Sequence, residues 1–164
     1  MWRRGTDRFP GWHRVSWDLM DLSEQQRAFI AGHSSAAMIT LGPDGTPHVV
    51  RVGVALVDGK LWSSGTRSRV RTKHLRRDPR STLFIFDEGW SWLSLESTVT
   101  ILDGPEGPEL HVRLMRTMQK RPGDSPTISW FGGEKTIDEF LATMVAEGRL
   151  IYEFDVQRAY GFVD

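Results

Sequence analysis

The sequence predicts a mainly β protein, built as a six-stranded antiparallel barrel with peripheral helices. Six segments have the length and apolar alternation of strands, and turn sequences join most of them directly. Helical periodicity is confined to short segments before, between or after these strands. Consecutive strands that are joined by hairpins form antiparallel sheets, and a barrel is the closed form of such a sheet.

We expect the 164 residues to form one barrel domain, 22–164, preceded by an extended N-terminal arm, 1–21, that is rich in Trp, Arg and His. Ser23 and Gln26 have the spacing of a capping box, which predicts a helix that ends near Gly32. This helix is expected to cover one end of the barrel.

Two turn sequences separate the first three predicted strands. Gly-Pro-Asp-Gly at 42–45 and Asp-Gly at 58–59 are both typical of tight turns. In the second strand, Val50, Val52 and Val54 alternate with Arg51, which puts Arg51 on the opposite face. The three strands are predicted over 36–41, 49–57 and 60–64.

A basic segment follows the third strand. Residues 63–80 contain seven of the 21 Lys and Arg residues and one acidic residue. The segment is rich in Ser, Thr and Gly where a helix is predicted to begin, near Ser68, and the helix is expected to stop at Asp78-Pro79. A helix N-terminus with nearby arginines can bind an anion. The alternative interpretation is a solvated basic helix.

Strands and helices share the second half of the chain. The longer strand places Leu93 and Leu95 on one face and Trp92 on the other, more polar face, where it is a candidate pocket residue. A Pro- and Gly-rich segment is interpreted as a surface loop. The predicted strands are 82–87, 90–102 and 150–156 with a closing segment at 160–163, the helices are 110–120 and one from Thr136 to Gly148, and the loop is 121–133.

Composition and charge exclude several functions. The formal net charge is zero, which argues against a nucleic-acid or membrane-surface partner and favours a small anion such as a phosphate. The sequence has no cysteine, no apolar run long enough for a membrane span and no secretory signal, so a cytoplasmic location is expected. No metal-binding or nucleophile motif is present, so any redox chemistry would come from a bound cofactor.

The order of these segments resembles a known family. The stretches AAMITLGPDGTPHVVRVGVAL, DGKLWSSGTRSRVRTKHLRRDPRSTLFIFD and WLSLESTVTIL, with the ending RLIYEFDVQRAYGF, are similar to the pyridoxamine-phosphate-oxidase-like split β-barrels. Within that family the chain is most similar to the flavin/deazaflavin oxidoreductases that use coenzyme F-420, an 8-hydroxy-5-deazaflavin. The resemblance covers residues 22–102 and the ending at 149–162, and it implies the FMN-binding split-barrel fold.

The resemblance also implies a cofactor site at the subunit interface of a homodimer. The tricyclic ring would lie against the second strand, and the phosphate would lie where the third strand enters the basic helix. Arg71 stands where relatives often have Lys, and either residue can hold a phosphate. Glu96 and Thr98 correspond to positions that approach the cofactor of the other subunit. The remaining implied cofactor contacts are Val50, Arg51, Val52, Ser63, Ser64, Thr66, Arg69 and Lys73.

The function implied by the resemblance is hydride transfer from reduced F-420 to a conjugated or heteroaromatic small molecule. Arg51 is the candidate catalytic residue, because its charge could polarise a substrate carbonyl or nitrogen. A basic groove formed by Arg67, Arg69, Lys73 and Arg77 would suit the carboxylates of the F-420 tail. Two alternatives stay open, an FMN-dependent oxidoreductase of the same fold and a non-enzymatic cofactor- or ligand-binding module.

Overall fold

The computed structural model of this protein describes residues 22–163, so the predicted N-terminal arm lies outside the described residues. Helices alternate irregularly with strands along the chain. The elements are α1 (Glu24–Gly32), β1 (Ser35–Leu41), β2 (Pro47–Val57), β3 (Lys60–Thr66), α2 (Val70–Arg77), β4 (Arg80–Phe86), β5 (Trp92–Leu102), α3 (Gly107–Met118), β6 (Thr127–Trp130), β7 (Gly133–Thr136), α4 (Ile137–Ala146) and β8 (Arg149–Phe162).

Six strands close into one antiparallel barrel in the order β1-β2-β3-β8-β5-β4. This confirms the predicted fold class of a six-stranded antiparallel barrel with peripheral helices. The inward side chains of the barrel form a continuous apolar core, which includes Met38, Leu83, Leu95 and Tyr152 with almost no exposed surface. The two-residue alternation of the strands therefore sets which residues are inside and which face outwards.

The last strand is longer than predicted. Residues 149–162 form one strand that pairs with β3 through its first half and with β5 along most of its length. The register between β5 and β8 shifts between Glu96 and Ser97, because Gln157 is an extra residue in β8. Such a bulge lets the strand continue through the polar residues that suggested a break in the sequence.

The helices cover the outside of the barrel. The capping box of α1 is present, with the Ser23 hydroxyl accepting a hydrogen bond from the Gln26 backbone N–H. Phe29 and Ile30 of this helix are buried against the core. Helix α3 covers β2 and β3 through Leu114 and Met118. None of the described helices is long and apolar enough to cross a membrane.

The segment predicted as a loop over 121–133 contains part of a β hairpin. Strands β6 and β7 pair as a two-stranded sheet beside α4, and Ile128 is buried with Phe140 and Met144. The prediction was wrong here because the Pro and Gly residues at 122–123 and 132–133 flank β6 and form its turn. Only four residues remain for a strand pattern.

Candidate functional site

A gap in the barrel wall separates parts of β2 and β3. Residues 54–57 of β2 pair with residues 60–63 of β3, whereas residues 47–53 of β2 pair, among the described strands, only with β1. The end of β3 pairs instead with β8. The two strands therefore diverge beyond the Val54–Ser63 pair and leave a cleft with one open strand edge on each side.

Backbone alternation shows which groups line the cleft. The Val54 N–H donates to the Ser34 carbonyl on the β1 side, so the peptide groups of Gly53 and Arg51 face the open edge. The Arg67 N–H donates to the Gly148 carbonyl on the other side of β3. By the same alternation, the peptide groups of Ser64 face the cleft. Unpaired strand edges of this kind present hydrogen-bonding groups to a ligand.

Helix α2 begins at this cleft and places Arg71 in it. The Arg71 Nη2 lies 3.5 Å from the Ser64 carbonyl oxygen, and the guanidinium carbon lies 5.8 Å from the centre of the Tyr152 ring. The Thr72 hydroxyl donates to the Thr66 carbonyl at 2.6 Å and lies 2.5 Å from the Tyr152 hydroxyl. These contacts fix the first turn of α2 against the end of β3.

Arg71 has no counter-ion among the residues that the structure describes. Its side chain is half-buried, and its Nε is enclosed without a hydrogen-bond partner. Burial lowers the pKa of Arg71, and the positive charges of Arg69 and Arg149 lower it further, against an opposing contribution from Tyr152. Within residues 22–163, no carboxylate lies within ion-pair distance of Arg71. A bound anion would supply the missing partner.

The hydroxyl groups predicted to bind phosphate are only partly available. The Ser64 hydroxyl faces the outside of the barrel and lies 2.9 Å from the His111 Nε2 of α3. The Ser63 hydroxyl is fully buried inside the barrel without a hydrogen-bond partner. The Thr66 hydroxyl is 3.4 Å from the Ser68 hydroxyl, close to the start of α2. The structure therefore brings Thr66 and Ser68 to the helix N-terminus, and it directs Ser64 away from the cleft.

The predicted basic groove is shorter than expected. Arg67 binds Asp103 at 2.6 Å, and Arg76 binds the same carboxylate at 2.5 Å. Arg77 donates to the Leu41 carbonyl at the far end of the helix. Arg69 and Lys73 are both exposed, and Arg69 is close enough for its charge to lower the pKa of Arg71.

The β2 residues divide between the two faces of the wall. The Val52 side chain is buried in the core, and that of Val50 packs against it. Arg51 is exposed on the outer face, where its Nε donates to the Ser35 hydroxyl at 2.8 Å. Arg51 also lines an outer cavity of about 480 Å³. Val49 is exposed on the same face and lines the same cavity, so the backbone of β2 and the Val49 and Arg51 side chains can contact a ligand outside the core.

Glu96 and Thr98 are not brought together with Arg71 in one protomer. Both lie on the outer face of β5 and line a cavity of about 400 Å³, which β1 and β4 separate from β2. Glu96 lies 3.8 Å from Arg158 of β8. Trp92 lies on the same outer face, in contact with Phe84 and Tyr160.

Three residues near the cleft were missed by sequence reasoning. His111 is fully buried, Tyr152 supports Arg71, and the Arg149 guanidinium reaches to 3.4 Å from the Ser64 hydroxyl. His111 stands three residues before Leu114, so helical spacing alone would have placed it on the buried face of α3. No comparable signal marks Arg149, whose position depends on the pairing of β8 with β3.

The cleft has features that suit a flat, phosphate-bearing cofactor. It offers two open strand edges, a helix N-terminus and a half-buried arginine with an enclosed, unpartnered Nε. A dianionic phosphate matches this donor set. The described residues hold no cluster of three or more potential metal ligands.

Known proteins share both the sequence pattern and the fold. A family model described as pyridoxamine 5'-phosphate oxidase matches residues 22–138. A conserved hypothetical protein from Mycobacterium tuberculosis has 19% sequence identity and a TM-score of 0.68, with 92% of this chain and 90% of that chain covered. A solved structure named F-420 reductase has 17% identity and a TM-score of 0.59, with 84% and 98% covered.

A FAD-binding protein from Mesorhizobium loti has 15% identity and a TM-score of 0.55, with 85% of this chain and 94% of that chain covered. At these identities the solved structures establish the fold alone. The family match carries more weight, because it extends over most of the chain and includes the cleft and α2. This protein therefore belongs to the pyridoxamine 5'-phosphate oxidase family of split β-barrels.

Proposed function

We propose that this protein is an oxidoreductase that binds coenzyme F-420 in the cleft between β2 and β3 and catalyses hydride transfer to a conjugated or heteroaromatic small molecule. The observation that carries the proposal is Arg71, a half-buried cation at the N-terminus of α2 that has no acidic partner within residues 22–163. Its position in a split barrel supports a phosphate-bearing tricyclic cofactor. Two structural neighbours, named as an F-420 reductase and a FAD-binding protein, support the same ligand class.

Different residues of the cleft would bind different parts of the cofactor. Arg71, Arg69 and the first turn of α2 would hold the phosphate, and the open backbone edge of β2 would support the ring. When bound, reduced F-420 supplies a hydride from C5 of its ring. The protein's contribution is to orient the substrate against that face and to exclude water from it.

Arg51 is the candidate for substrate activation. Its Nε is occupied by Ser35, and the rest of its exposed guanidinium can donate to a substrate carbonyl or nitrogen as negative charge develops. We expect Arg51→Ala to lower kcat/KM by about tenfold or more while leaving cofactor affinity nearly unchanged. Wild-type turnover in Arg51→Ala would exclude this role.

FMN is the second candidate cofactor, and one observation favours it. Arg67 is paired with Asp103, so fewer free cations remain for the carboxylate tail that distinguishes F-420 from FMN. Fluorescence titrations of the protein with each cofactor test the choice. Tighter binding of F-420 would support the proposal, and tighter binding of FMN would move the protein to the flavin-dependent branch. Binding without turnover of any acceptor would favour a cofactor carrier.

We also propose that the protein is a homodimer through the outer face of β2, β1, β4, β5 and β8. Phe84, Phe86 and Trp92 form an aromatic cluster on this face, with ring centres 5.6–5.7 Å apart. Glu96 and Thr98 lie on the same face, so a dimer through it would carry both residues to the interface. A two-fold axis there would give each cofactor site residues from two subunits.

A further inference from the structure

The buried histidine of α3 connects the helix to the cleft. The His111 Nδ1 lies 2.9 Å from the Gly107 carbonyl oxygen, and the Nε2 lies 2.9 Å from the Ser64 hydroxyl oxygen. A carbonyl can only accept, so Nδ1 carries the proton and Nε2 is an acceptor. The Ser64 hydroxyl therefore donates to His111, and the tautomer of the ring is fixed.

Ser64 joins this histidine to the two arginines near the cleft. Its hydroxyl oxygen is 3.4 Å from Arg149 Nη1, and its backbone carbonyl is 3.5 Å from Arg71 Nη2. Arg149 is itself held by Glu147 at 2.6 Å and lies over the Trp130 ring. A chain of contacts thus runs from α3 through Ser64 to Arg71 in the cleft.

We propose that His111 is a positioning residue, which fixes Ser64 and thereby sets where the Arg71 guanidinium presents itself to the cofactor phosphate. This inference rests on the proposed function, since it assigns a role within the same site. His111 does not touch the cleft, and it acts only through the peptide and hydroxyl of Ser64.

The surroundings keep His111 neutral at physiological pH. The pKa of His111 is lowered to about 4, mainly by burial and also by the charge of Arg149, against opposing effects of the Gly107 carbonyl and of Glu147. Ser64 is the polar group that faces it from β3. The acceptor at Nε2 is consequently available across the pH range in which the cofactor would bind.

The test compares cofactor affinity in a small set of variants. His111→Phe removes both hydrogen bonds and retains a ring, and Ser64→Ala removes the hydroxyl and keeps the carbonyl. His33→Phe is the matched control, because the His33 Nδ1 makes a similar bond to the Phe29 carbonyl in α1, away from the cleft. Dissociation constants for F-420 and FMN are measured by fluorescence, with inorganic phosphate as a competitor.

We expect His111→Phe and Ser64→Ala each to raise the Kd of the bound cofactor about fivefold, and the double variant to be no weaker than the single variants. The control should bind like the wild type. If His111 and Ser64 had only a structural role, the variants would have lower thermal stability and the same Kd as the wild type. That result would overturn the inference and leave the proposed function intact. A wild type that binds neither cofactor overturns both.

A second measurement does not depend on any ligand or variant. In ¹⁵N NMR spectra of the wild type, His111 should show a protonated Nδ1 and an unprotonated Nε2 without titration between pH 5 and pH 8, since its folded-state pKa is about 4. The opposite tautomer, or titration near the ordinary histidine pKa, would overturn the proposed chain of contacts even if His111→Phe failed to fold.

Discussion

His111 makes the stability of the fold depend on pH. Its pKa is lowered from 6.5 to about 4 in the folded protein, mainly by burial. The unfolded chain therefore binds more protons between these values, so the histidine's contribution is complete above pH 6.5 and is lost as the pH falls towards 4. We expect the titration of His111 to lower the free energy of unfolding by roughly 3 kcal/mol as the pH falls from 6.5 to about 4.

Denaturant unfolding of the wild type and of His111→Phe at several pH values checks this expectation. The carboxylates titrate in both proteins, so the difference between the two curves isolates the histidine. The variant should lose less stability between pH 7 and pH 4.5 than the wild type. Parallel curves would mean that His111 is accessible to protons in the folded state.

Gly65 is required by close packing in β3. A Cβ atom at this position would overlap the ring of Tyr152, which is fully buried and cannot move outwards. We expect Gly65→Ala to lower the free energy of unfolding by about 1–3 kcal/mol. Gly123→Ala is the control, because its Cβ would meet no atom within 4 Å. Equal stabilities of the two variants would contradict this packing.

Sequence reasoning at this scale named Arg71 as a candidate phosphate ligand but did not predict the contacts that hold its side chain. A basic segment after a strand was enough to predict an anion site. The outward direction of Ser64 depends on where β3 leaves β2, which the sequence does not show. The pairing of Arg67 with Asp103 joins residues 36 positions apart, and no local pattern predicts it.

Among the elements, the β6–β7 hairpin has an unusual turn. Trp130 pairs with Gly133, and the two residues between them, Phe131 and Gly132, have φ values of 46° and 83°. This two-residue turn favours Asn or Gly at the first position, whereas Phe there is strained. The Phe131 side chain is 83% exposed, and its ring contacts the Trp130 ring with centres 4.8 Å apart, a surface contact that offsets only part of the strain.

Two replacements of Phe131 should therefore distinguish the effect of backbone strain on stability from the effect of losing the aromatic ring. We expect Phe131→Asn to raise the free energy of unfolding by about 1 kcal/mol, a Tm increase of roughly 2–4 °C. Phe131→Ala is the matched control, since it removes the same ring without improving the left-handed conformation. Thermal unfolding that shows equal Tm values for the two variants would refute the turn argument.

Strand positions were predicted well where hairpin turns bound them, and less well where tertiary pairing extends them. Both capping boxes, at Ser23 and Thr136, occur at the starts of helices that the sequence predicts. The extension of β3 to Thr66 and of β8 to Phe162 comes from their pairing with each other and with β5. Short sequence windows do not contain that information.

On the scale of the whole molecule, the outer aromatic face predicts self-association. Phe86 is 59% exposed and lies at the end of β4, on a face that also carries Val49, Trp92 and Phe162. Exposed apolar patches of this kind mark interfaces. We expect the wild type to be a dimer by light scattering and Phe86→Glu to shift it towards the monomer.

The matched control for that experiment is Val145→Glu. Val145 is 67% exposed on α4, away from the aromatic face, so a charge there should leave the dimer intact. A wild-type monomer at micromolar concentration would exclude the proposed homodimer. Dissociation by both variants would indicate that the interface is elsewhere.

The central claim is that Arg71 holds an anionic cofactor in the cleft between β2 and β3. The most direct measurement is the Kd of F-420 and of FMN for Arg71→Met beside Arg76→Met. Arg76 is on the same helix but is already paired with Asp103. We expect Arg71→Met to raise Kd by about 10- to 100-fold and Arg76→Met to change it little, since charge-assisted hydrogen bonds are strong. Equal affinities for the wild type and Arg71→Met would contradict the account.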